Sequence, residues 1–240
     1  MKVIIVENYD KMSEKAGEIV TEIVKSNPLA ILGLATGSTP VGLYDYLVDA
    51  NRNQGISFAK VQTVNLDEYV GIDATNENSY AYFMAKNLFD RIDIDKQNTH
   101  LPNGVANDLQ AECDRYNILL ANMKQDLQVL GIGSNGHVGF NEPGTEFNSQ
   151  THVVTLSEST IKDNSRLFQD ESQVPTQALS MGIKNIMNAK QILLLASGKN
   201  KAKAIKGLIS GEIITDLPAS ILQLHPFVTV IIDKDAASLL

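Results

Sequence analysis

The sequence predicts an α/β protein with a Rossmann-like, mainly parallel central sheet and helices on both faces of that sheet. Two observations support this prediction. Short runs of apolar and β-branched residues alternate along the chain with segments in which apolar residues follow helical spacing. The runs are apolar throughout, which is typical of parallel strands that are covered on both faces. With 240 residues, 43% of them hydrophobic, and no repeat or long linker, one domain spanning 1–240 is expected.

The predicted elements follow in chain order. Strands are predicted at 2–6, 29–35, 61–66, 127–133, 152–157, 191–197 and 227–233. Helices are predicted at about 40–53, 78–91, 106–124, 158–167 and 199–209. Another helix begins near Asp10, a candidate N-cap, because Met12, Ala16 and Val20 repeat at helical spacing. Residues 156–180 are more polar and less regular and are predicted to form a lid, although a surface helix fits the same composition.

Composition and charge narrow the classes of function. The net charge of −8 argues against a general nucleic-acid binder or a protein that binds anionic membranes. The chain has no apolar run near the ~20 residues of a membrane span and no signal peptide, so a cytoplasmic protein is expected. The single cysteine, Cys113, fits a buried thiol in a helix. An anionic ligand therefore has to be held by a local positive site.

Four loops follow predicted strands and are candidates for the ligand site. In an open parallel sheet, ligands bind beyond the carboxyl ends of the strands. The sequences at these positions are TGSTP after 29–35, DEY after 61–66, GSNGHVGFNEPG after 127–133 and SGKNKA after 191–197. The chemistry of the protein is therefore expected in these loops.

Two of these loops are suited to an anion. Gly37, Ser38 and Thr39 come just before a helix, with Thr39 as a candidate N-cap and Pro40 at the first helical position, so free N–H groups and two hydroxyls could hold a phosphate. A capped helix start that binds nothing explains the same residues. SGKNKA lacks P-loop spacing, which argues against a nucleoside triphosphate. Its Lys199 or Lys201 could meet a phosphate or belong to a solvated helix face.

The acidic pair Asp67 and Glu68 comes directly after the predicted strand 61–66. A carboxylate at this edge of the sheet is a candidate general base. A helix cap or a carboxylate exposed to solvent is the alternative interpretation. The sequence alone leaves these possibilities open.

The glycine-rich loop matches the dinucleotide fingerprint G-x-G-x-x-G at Gly131, Gly133 and Gly136. That fingerprint requires a helix at its third glycine, but the following residues lack helical spacing and contain Pro143. The match is therefore interpreted as accidental. The glycines instead allow a ligand to approach the backbone closely, and His137 supplies a group that titrates near neutral pH.

Glu142 and Asn135 are close enough in sequence to orient His137 and tune its basicity. One histidine and one glutamate make a poor zinc ligand set, so no metal is expected. Together the loops provide phosphate donors, a carboxylate base and a histidine with carboxylate and amide partners. This set suits proton transfer on a sugar phosphate without a cofactor.

Five motifs resemble the glucosamine-6-phosphate deaminase (isomerase) family. They are LGLATGSTPVGLY, NLDEYVG, LGIGSNGHVGFNEPG, NSRLF and SGKNKAKAI, and they occur in that family's order over about residues 29 to 210. The related 6-phosphogluconolactonases share the fold, but their loop looks like G-x-D-G-H-T-A-S, whereas this chain continues from Asn135 as N-G-H-V-G-F-N-E. A sugar-phosphate lactonase and a non-catalytic sugar-phosphate sensor are the alternatives on this fold.

The resemblance implies conversion of glucosamine 6-phosphate and water to fructose 6-phosphate and ammonia in amino-sugar (N-acetylglucosamine) catabolism. It implies that His137 moves the proton that opens the pyranose ring, with Glu142 and Asn135 holding the imidazole. Asp67 then carries the C2 proton to C1 through an enolamine. The implied phosphate ligands are Gly37, Ser38, Thr39, Arg166 and Lys201, and Arg166 could close the predicted lid over the substrate.

The chain departs from allosteric members of the family in two places. Those members carry Asp where this chain has Asn135, so His137 is expected to receive less electrostatic support unless Glu142 compensates. They also carry a basic run after the NEP motif that binds N-acetylglucosamine 6-phosphate, whereas 148–156 has only His152 as a possible cation. A monomer or small homo-oligomer without this activation is therefore expected, and galactosamine 6-phosphate remains open as a substrate.

Overall fold

The computed structural model describes residues 1–157, 161 and 174–240, and these contain two sheets. The strands are β1 (Lys2–Val6), β2 (Ile31–Leu34), β3 (Gln62–Asn65), β4 (Asp67–Tyr69), β5 (Thr99–His100), β6 (Leu127–Leu130), β7 (His152–Thr155), β8 (Gln177–Ser180), β9 (Ile192–Ala196) and β10 (Val228–Asp233). The larger sheet has the order β1-β10-β9-β6-β2-β3-β5, and every neighbouring pair is parallel. The predicted parallel central sheet is confirmed.

Helices cover both faces of this sheet, as predicted. The α-helices are α1 (Tyr9–Ser26), α2 (Val41–Asn53), α3 (Tyr80–Met84), α4 (Leu109–Asn122), α5 (Ile183–Met187) and α6 (Ala202–Ser210). A π-helical turn, Ala85–Phe89, extends α3, and 3-10 turns occupy Lys96–Asn98, Lys199–Lys201 and Pro218–Leu224. None of the helices within the described ranges is long and apolar enough to cross a membrane.

The sheet separates two hydrophobic clusters, and strand β9 shows how. Its Leu193 and Leu195 pack into the cluster that α1 and α2 cover, while Leu194 and Ala196 pack into the cluster that α4 and α6 cover. Successive side chains of a strand point to opposite faces, so a strand buried on both faces must be apolar at every position. This is the physical basis of the continuous apolar runs in the sequence.

The second sheet is antiparallel and was not predicted. Its order is β4-β8-β7, so the strand expected at 152–157 lies outside the parallel sheet. The chain leaves β3 at Asn65 and enters β4 at Asp67, while the backbone of Leu66 bonds to both sheets: its N–H donates to Leu34 and its carbonyl accepts from Met181. The DEY motif is therefore a short buried strand rather than a loop.

Two predicted helix caps are wrong by one or two residues. Asn8, rather than Asp10, caps α1, because its side chain accepts a hydrogen bond from the N–H of Lys11. At α2 the N-cap position is taken by Pro40, with no side-chain capping bond, so Thr39 does not cap this helix. Boundaries of this kind depend on which neighbouring side chain reaches the free N–H groups, a choice that residue preference alone does not make.

One part of the segment predicted as a lid, 156–180, is a strand instead. Gln177–Ser180 forms β8, which pairs with the strand that carries Asp67, and its Ala178, Leu179 and Ser180 are fully buried. These residues are part of the folded core. The helix predicted at 158–167 and the greater part of the predicted lid lie outside the described residues.

Candidate active site

Four adjacent strands in the order β9-β6-β2-β3 carry the four predicted loops to one edge of the parallel sheet. A cleft of about 210 Å³ opens at that edge. Six of the predicted site residues line it: Gly37, Ser38, Thr39, Asp67, His137 and Lys201. The chain order of the strands reverses between β2 and β6, and such a reversal is where open α/β sheets bind ligands.

Asp67 contributes a buried carboxyl group to this cleft. Only 6% of the residue is exposed. Burial, with a smaller contribution from the negative charge of Glu68, raises the pKa of Asp67 to about 8. A carboxyl group with this pKa is a much stronger base than an ordinary aspartate, and its position at the junction of the two sheets fixes where it points.

Glu68 points away from the cleft and serves the start of helix α3. Its Oε1 accepts hydrogen bonds from the N–H groups of Tyr69 and Tyr80, both at 2.9 Å, and its Oε2 accepts one from Ala81 at 2.8 Å. Ser79 accepts a further bond from the N–H of Tyr82 at 3.0 Å. Each alternative for the acidic pair therefore applies to one residue. Glu68 is a helix cap, and Asp67 is the candidate base.

His137 lies in a compact turn of the glycine-rich loop. The N–H of Gly133 donates to the carbonyl of His137 at 2.9 Å, so the loop folds back and places the imidazole against Gly133. A Cβ atom at Gly133 would lie 2.5 Å from the ring, so a larger residue there would displace the imidazole. At Gly131, which lines the cleft, a Cβ atom would have no neighbour within 4 Å. Residues 134–151 contain no helix, which excludes the dinucleotide-binding arrangement.

Glu142 and Asn135 form the support behind His137 and are not among the cleft-lining residues. The amide of Asn135 donates to Oε2 of Glu142 at 2.8 Å, and its carbonyl oxygen accepts the backbone N–H of His137 at 3.2 Å. Nδ1 of His137 is 3.6 Å from Oε2 of Glu142 and has no hydrogen-bond partner among the described residues. The hydroxyl of Ser157 also reaches Glu142, at 3.2 Å.

This geometry gives Asn135 a role that an aspartate could not fill in the same way. An amide can donate to the Glu142 carboxylate, whereas an ionised Asp at this position would place two negative charges in contact. The Glu142 carboxyl group is therefore held close to His137. Asn135 fixes the position of that group and adds no second carboxylate.

The loop at 37–39 exposes backbone to the cleft. Gly37 has φ 88°, a left-handed conformation that favours glycine, and a Cβ atom there would meet nothing within 4 Å. The phenol of Tyr9 in α1 donates to the carbonyl of Ser38 at 3.0 Å and accepts the N–H of Gly42 at 2.8 Å. Tyr9 thus holds the loop onto the start of α2, where unpaired N–H groups and the helix dipole favour an anion.

Lys201 is the member of the two candidate lysines that lines the cleft, and Lys199 is exposed outside it. The loop before Lys201 is anchored by Asp233 at the end of β10. Its carboxylate accepts hydrogen bonds from the hydroxyl of Ser197 at 2.6 Å and from the N–H of Gly198. These donors outweigh burial and lower the pKa of Asp233, so its charge is stable at neutral pH.

The cleft wall also contains residues that the sequence analysis did not name as site residues, among them Tyr80, Ser134 and Phe140. Tyr80 stacks on Phe140 with 6.1 Å between ring centroids and packs against Tyr69 at 4.7 Å. Burial raises the pKa of Tyr80 well above its usual range, so its hydroxyl stays neutral. Ser79 gave a helix-start signal in the sequence, but only the structure brings that helix start next to the acidic pair.

Two further predictions about the site concern Arg166 and metal ions. Arg166, the predicted second cation for phosphate, lies outside the described residues. For metals, no group of three or more His, Cys, Asp or Glu side chains in the described ranges is arranged to hold an ion.

Comparison with known proteins assigns the family. The profile of the family described as glucosamine-6-phosphate isomerases/6-phosphogluconolactonase matches residues 7–231. Glucosamine-6-phosphate deaminase of Thermoanaerobacter pseudethanolicus is 53% identical over 241 residues, covering 100% of this chain and 95% of the relative. The enzyme of the same name from Clostridium novyi is 53% identical over 239 residues, covering 99% of each chain.

The solved structures separate family from fold. One described as a monomeric glucosamine-6-phosphate deaminase is 48% identical, covers 100% of both chains and superposes with a TM-score of 0.98. A 6-phosphogluconolactonase from Trypanosoma cruzi has a TM-score of 0.78 over 100% of this chain and 96% of its own, but at 20% identity this likeness shows the fold alone. The chain therefore belongs to the glucosamine-6-phosphate isomerase/6-phosphogluconolactonase family, within its glucosamine-6-phosphate deaminase branch.

Proposed function

We propose that this enzyme converts glucosamine 6-phosphate and water to fructose 6-phosphate and ammonia. One observation carries the proposal: the buried carboxyl group of Asp67 shares a cleft with His137 and with the anion-binding loop at 37–39. An aldose-ketose isomerisation needs a base that moves a proton between C1 and C2, a group that opens the ring, and a phosphate anchor. The cleft contains a candidate for each of these roles.

The first step is ring opening by His137. The imidazole takes the proton of the C1 hydroxyl and returns a proton to the ring oxygen, which yields the open-chain aldehyde. Glu142, with its Oε2 at 3.6 Å from Nδ1, stabilises the imidazolium formed between the two transfers. Asn135 holds that carboxylate and the backbone of His137 in one network.

Asp67 then carries out the isomerisation. The aldehyde at C1 and the ammonium at C2 acidify the C2 proton, which Asp67 removes to form an enolamine. Return of the proton to C1 gives the imine of fructose 6-phosphate, and water hydrolyses the imine to the ketone and ammonia. The high pKa of Asp67 suits both halves of this transfer, because the group must accept a proton and give it back.

The phosphate is held at the other end of the cleft. The residues that support this role all line the cleft: Gly37, Ser38 and Thr39, just before the start of α2, and Lys201. Binding at a helix N-terminus together with a lysine lets a chain of net charge −8 hold a dianion locally. We include Arg166 as a further phosphate ligand, on the family motif alone.

We further infer that the protein acts in the cytoplasm, in amino-sugar catabolism, as a monomer or small homo-oligomer without activation by N-acetylglucosamine 6-phosphate. The 48% identical structure described as monomeric supports this oligomeric state. The lack of Lys and Arg from 148 to 156 supports the absence of this activation. Sedimentation tests the oligomeric state, and a hexamer would contradict it. Rate curves with and without N-acetylglucosamine 6-phosphate test the absence of activation, which sigmoidal kinetics would contradict.

A coupled assay for fructose 6-phosphate and ammonia tests the activity itself. Equimolar formation of both products from glucosamine 6-phosphate is expected. Hydrolysis of 6-phosphogluconolactone without deamination would identify a lactonase, and binding of glucosamine 6-phosphate without either product would identify a sensor. Running galactosamine 6-phosphate in parallel decides whether the cleft distinguishes the two epimers at C4.

A further inference from the structure

We propose that Glu68 is a positioning residue for the general base: its carboxylate ties the start of helix α3 to the strand that carries Asp67, and its negative charge makes Asp67 a stronger base. The inference rests on the proposed function only in naming Asp67 as the base. Glu68 itself does not line the cleft. It is 3% exposed and its three hydrogen bonds all go to backbone N–H groups.

The geometry explains how the Glu68 carboxylate acts both on Asp67 and on the start of α3. Asp67 and Glu68 are consecutive residues of β4, so their side chains point to opposite faces of the strand. On one face Asp67 meets the cleft. On the other Glu68 receives the N–H groups of Tyr80 and Ala81, the first two residues of α3. The N–H of Tyr80 bonds to Glu68, and Tyr80 itself lines the cleft. The Glu68 carboxylate therefore holds both the strand that carries Asp67 and one wall of the site.

The charge of Glu68 acts on Asp67 because little else near the pair can carry a compensating charge. Four phenols interact with Asp67, those of Tyr44, Tyr69, Tyr80 and Tyr116. Burial raises the pKa of each phenol, so all four stay neutral over the working range of the enzyme. His137 and Lys201 are the basic side chains that line the same cleft as Asp67.

We expect Glu68 to lose its proton at lower pH than Asp67. Burial raises the pKa of Glu68, but its three backbone donors oppose that rise by stabilising the charged form. Asp67 must then lose its proton beside an existing negative charge, which is one cause of its raised pKa. Two neighbouring carboxyl groups thus differ in role because one has three backbone donors and the other faces the substrate.

The test compares Glu68→Gln with Ser79→Ala. Glu68→Gln keeps the shape, removes the charge and loses the bond to Ala81. Ser79→Ala removes one capping bond from the same helical turn, that of Tyr82, and leaves the charge in place. Both variants are expected to lower Tm and to raise KM, because both loosen the start of α3 and with it Tyr80.

The pH profile of kcat/KM separates the effect of the Glu68 charge on Asp67 from the effect of its hydrogen bonds to α3. In Glu68→Gln the acid limb of kcat/KM moves to lower pH, and the plateau falls by about 2- to 10-fold because a weaker base transfers the proton more slowly. In Ser79→Ala the limb stays at the wild-type pH. If the limb of Glu68→Gln also stays in place, Glu68 is only a helix cap and the proposal is overturned.

Carbon-13 NMR of the side-chain carboxyl groups in the substrate-free protein gives a readout that does not depend on activity. In the wild-type protein, Glu68 should titrate first and Asp67 at higher pH; the opposite order would overturn the proposal even if Glu68→Gln does not fold. In Glu68→Gln the Asp67 titration should move to lower pH. If it does so while the wild-type protein fails to deaminate glucosamine 6-phosphate, the inference about Glu68 stands and the proposed function fails.

Discussion

The two ends of the cleft are built in different ways. The catalytic end is made of side chains that are buried or backed by hydrogen bonds: Asp67 is 6% exposed, and Glu142 behind His137 is held by Asn135. The phosphate end is made mainly of exposed backbone, with Gly37 and Ser38 open to solvent before the start of α2.

The difference follows from what each end has to do. A base of this kind benefits from a raised pKa, which burial provides at Asp67, with a smaller contribution from the charge of Glu68. A phosphate is already charged and needs hydrogen-bond donors that lose no other protein partner when it binds. Exposed N–H groups at a helix start are donors of this kind. Changes at the catalytic end should therefore lower kcat, and changes at the phosphate end should raise KM.

The largest effect is expected for Asp67→Asn. An amide cannot accept the C2 proton, so kcat should fall by at least about 10²- to 10⁴-fold. Binding of fructose 6-phosphate, measured by calorimetry, should stay within a few-fold of wild type because the phosphate end is unchanged. Asp49→Asn, at an exposed aspartate of α2, is the control and should keep full activity. Near-normal kcat in Asp67→Asn would show that another group is the base.

The pH profile of kcat/KM tests the same group without mutation. Asp67 must be ionised to act, and its raised pKa of about 8 means that the active form is lost as the pH falls below that value. The rate constant should decrease roughly tenfold per pH unit on the acid side. An acid limb near pH 4 would instead indicate a base that is exposed to water.

Lys201→Met should raise KM by about 10- to 100-fold with a smaller change in kcat, since a hydrogen bond to a charged group contributes about 1.5–3 kcal/mol. Lys199→Met is the matched control, because this lysine is two residues away and outside the cleft. Equal effects from the two variants would mean that Lys201 acts only through the overall charge. Steady-state kinetics at two salt concentrations distinguishes these outcomes.

Asn135→Asp tests the support behind His137. The new carboxylate would lie against Glu142, so one group of the pair should have a raised pKa in the folded state. The variant should match wild type near pH 4 and lose stability as the pH rises to 8, by about 1–3 kcal/mol, a difference that thermal unfolding at both pH values measures. Asn135→Ser loses the amide without adding charge, so its deficit should not grow with pH.

The smallest effect is expected for Tyr9→Phe. The phenol links Ser38 to Gly42, and its loss leaves the loop at 37–39 less ordered without removing a ligand. KM should rise about 2- to 10-fold at constant kcat, because only part of the two lost hydrogen bonds, each worth ~1 kcal/mol, acts on phosphate binding. A fall in kcat instead would show that the two ends of the cleft are coupled.

Much of the site could be predicted because it follows from strand order. Apolar runs located six of the seven parallel strands, all but the two-residue β5, and the edge rule then brought Asp67, His137 and Lys201 to one place. The antiparallel sheet could not be predicted in this way. Gln177–Ser180 is a short strand with no signal of its own, and it exists because β4 offers it hydrogen-bonding partners across more than a hundred residues of sequence.

The sequence by itself determined the parallel sheet, the residue types of the four loops and the family. These depend on local periodicity and on short motifs, which a single chain displays directly. Tertiary structure decided which residue of each ambiguous pair lines the cleft. Asp67 rather than Glu68, and Lys201 rather than Lys199, line the cleft because strand alternation and loop anchoring fix the direction of a side chain. The structure likewise pairs Asn135 with a residue seven positions along the chain, through a hydrogen bond to Glu142.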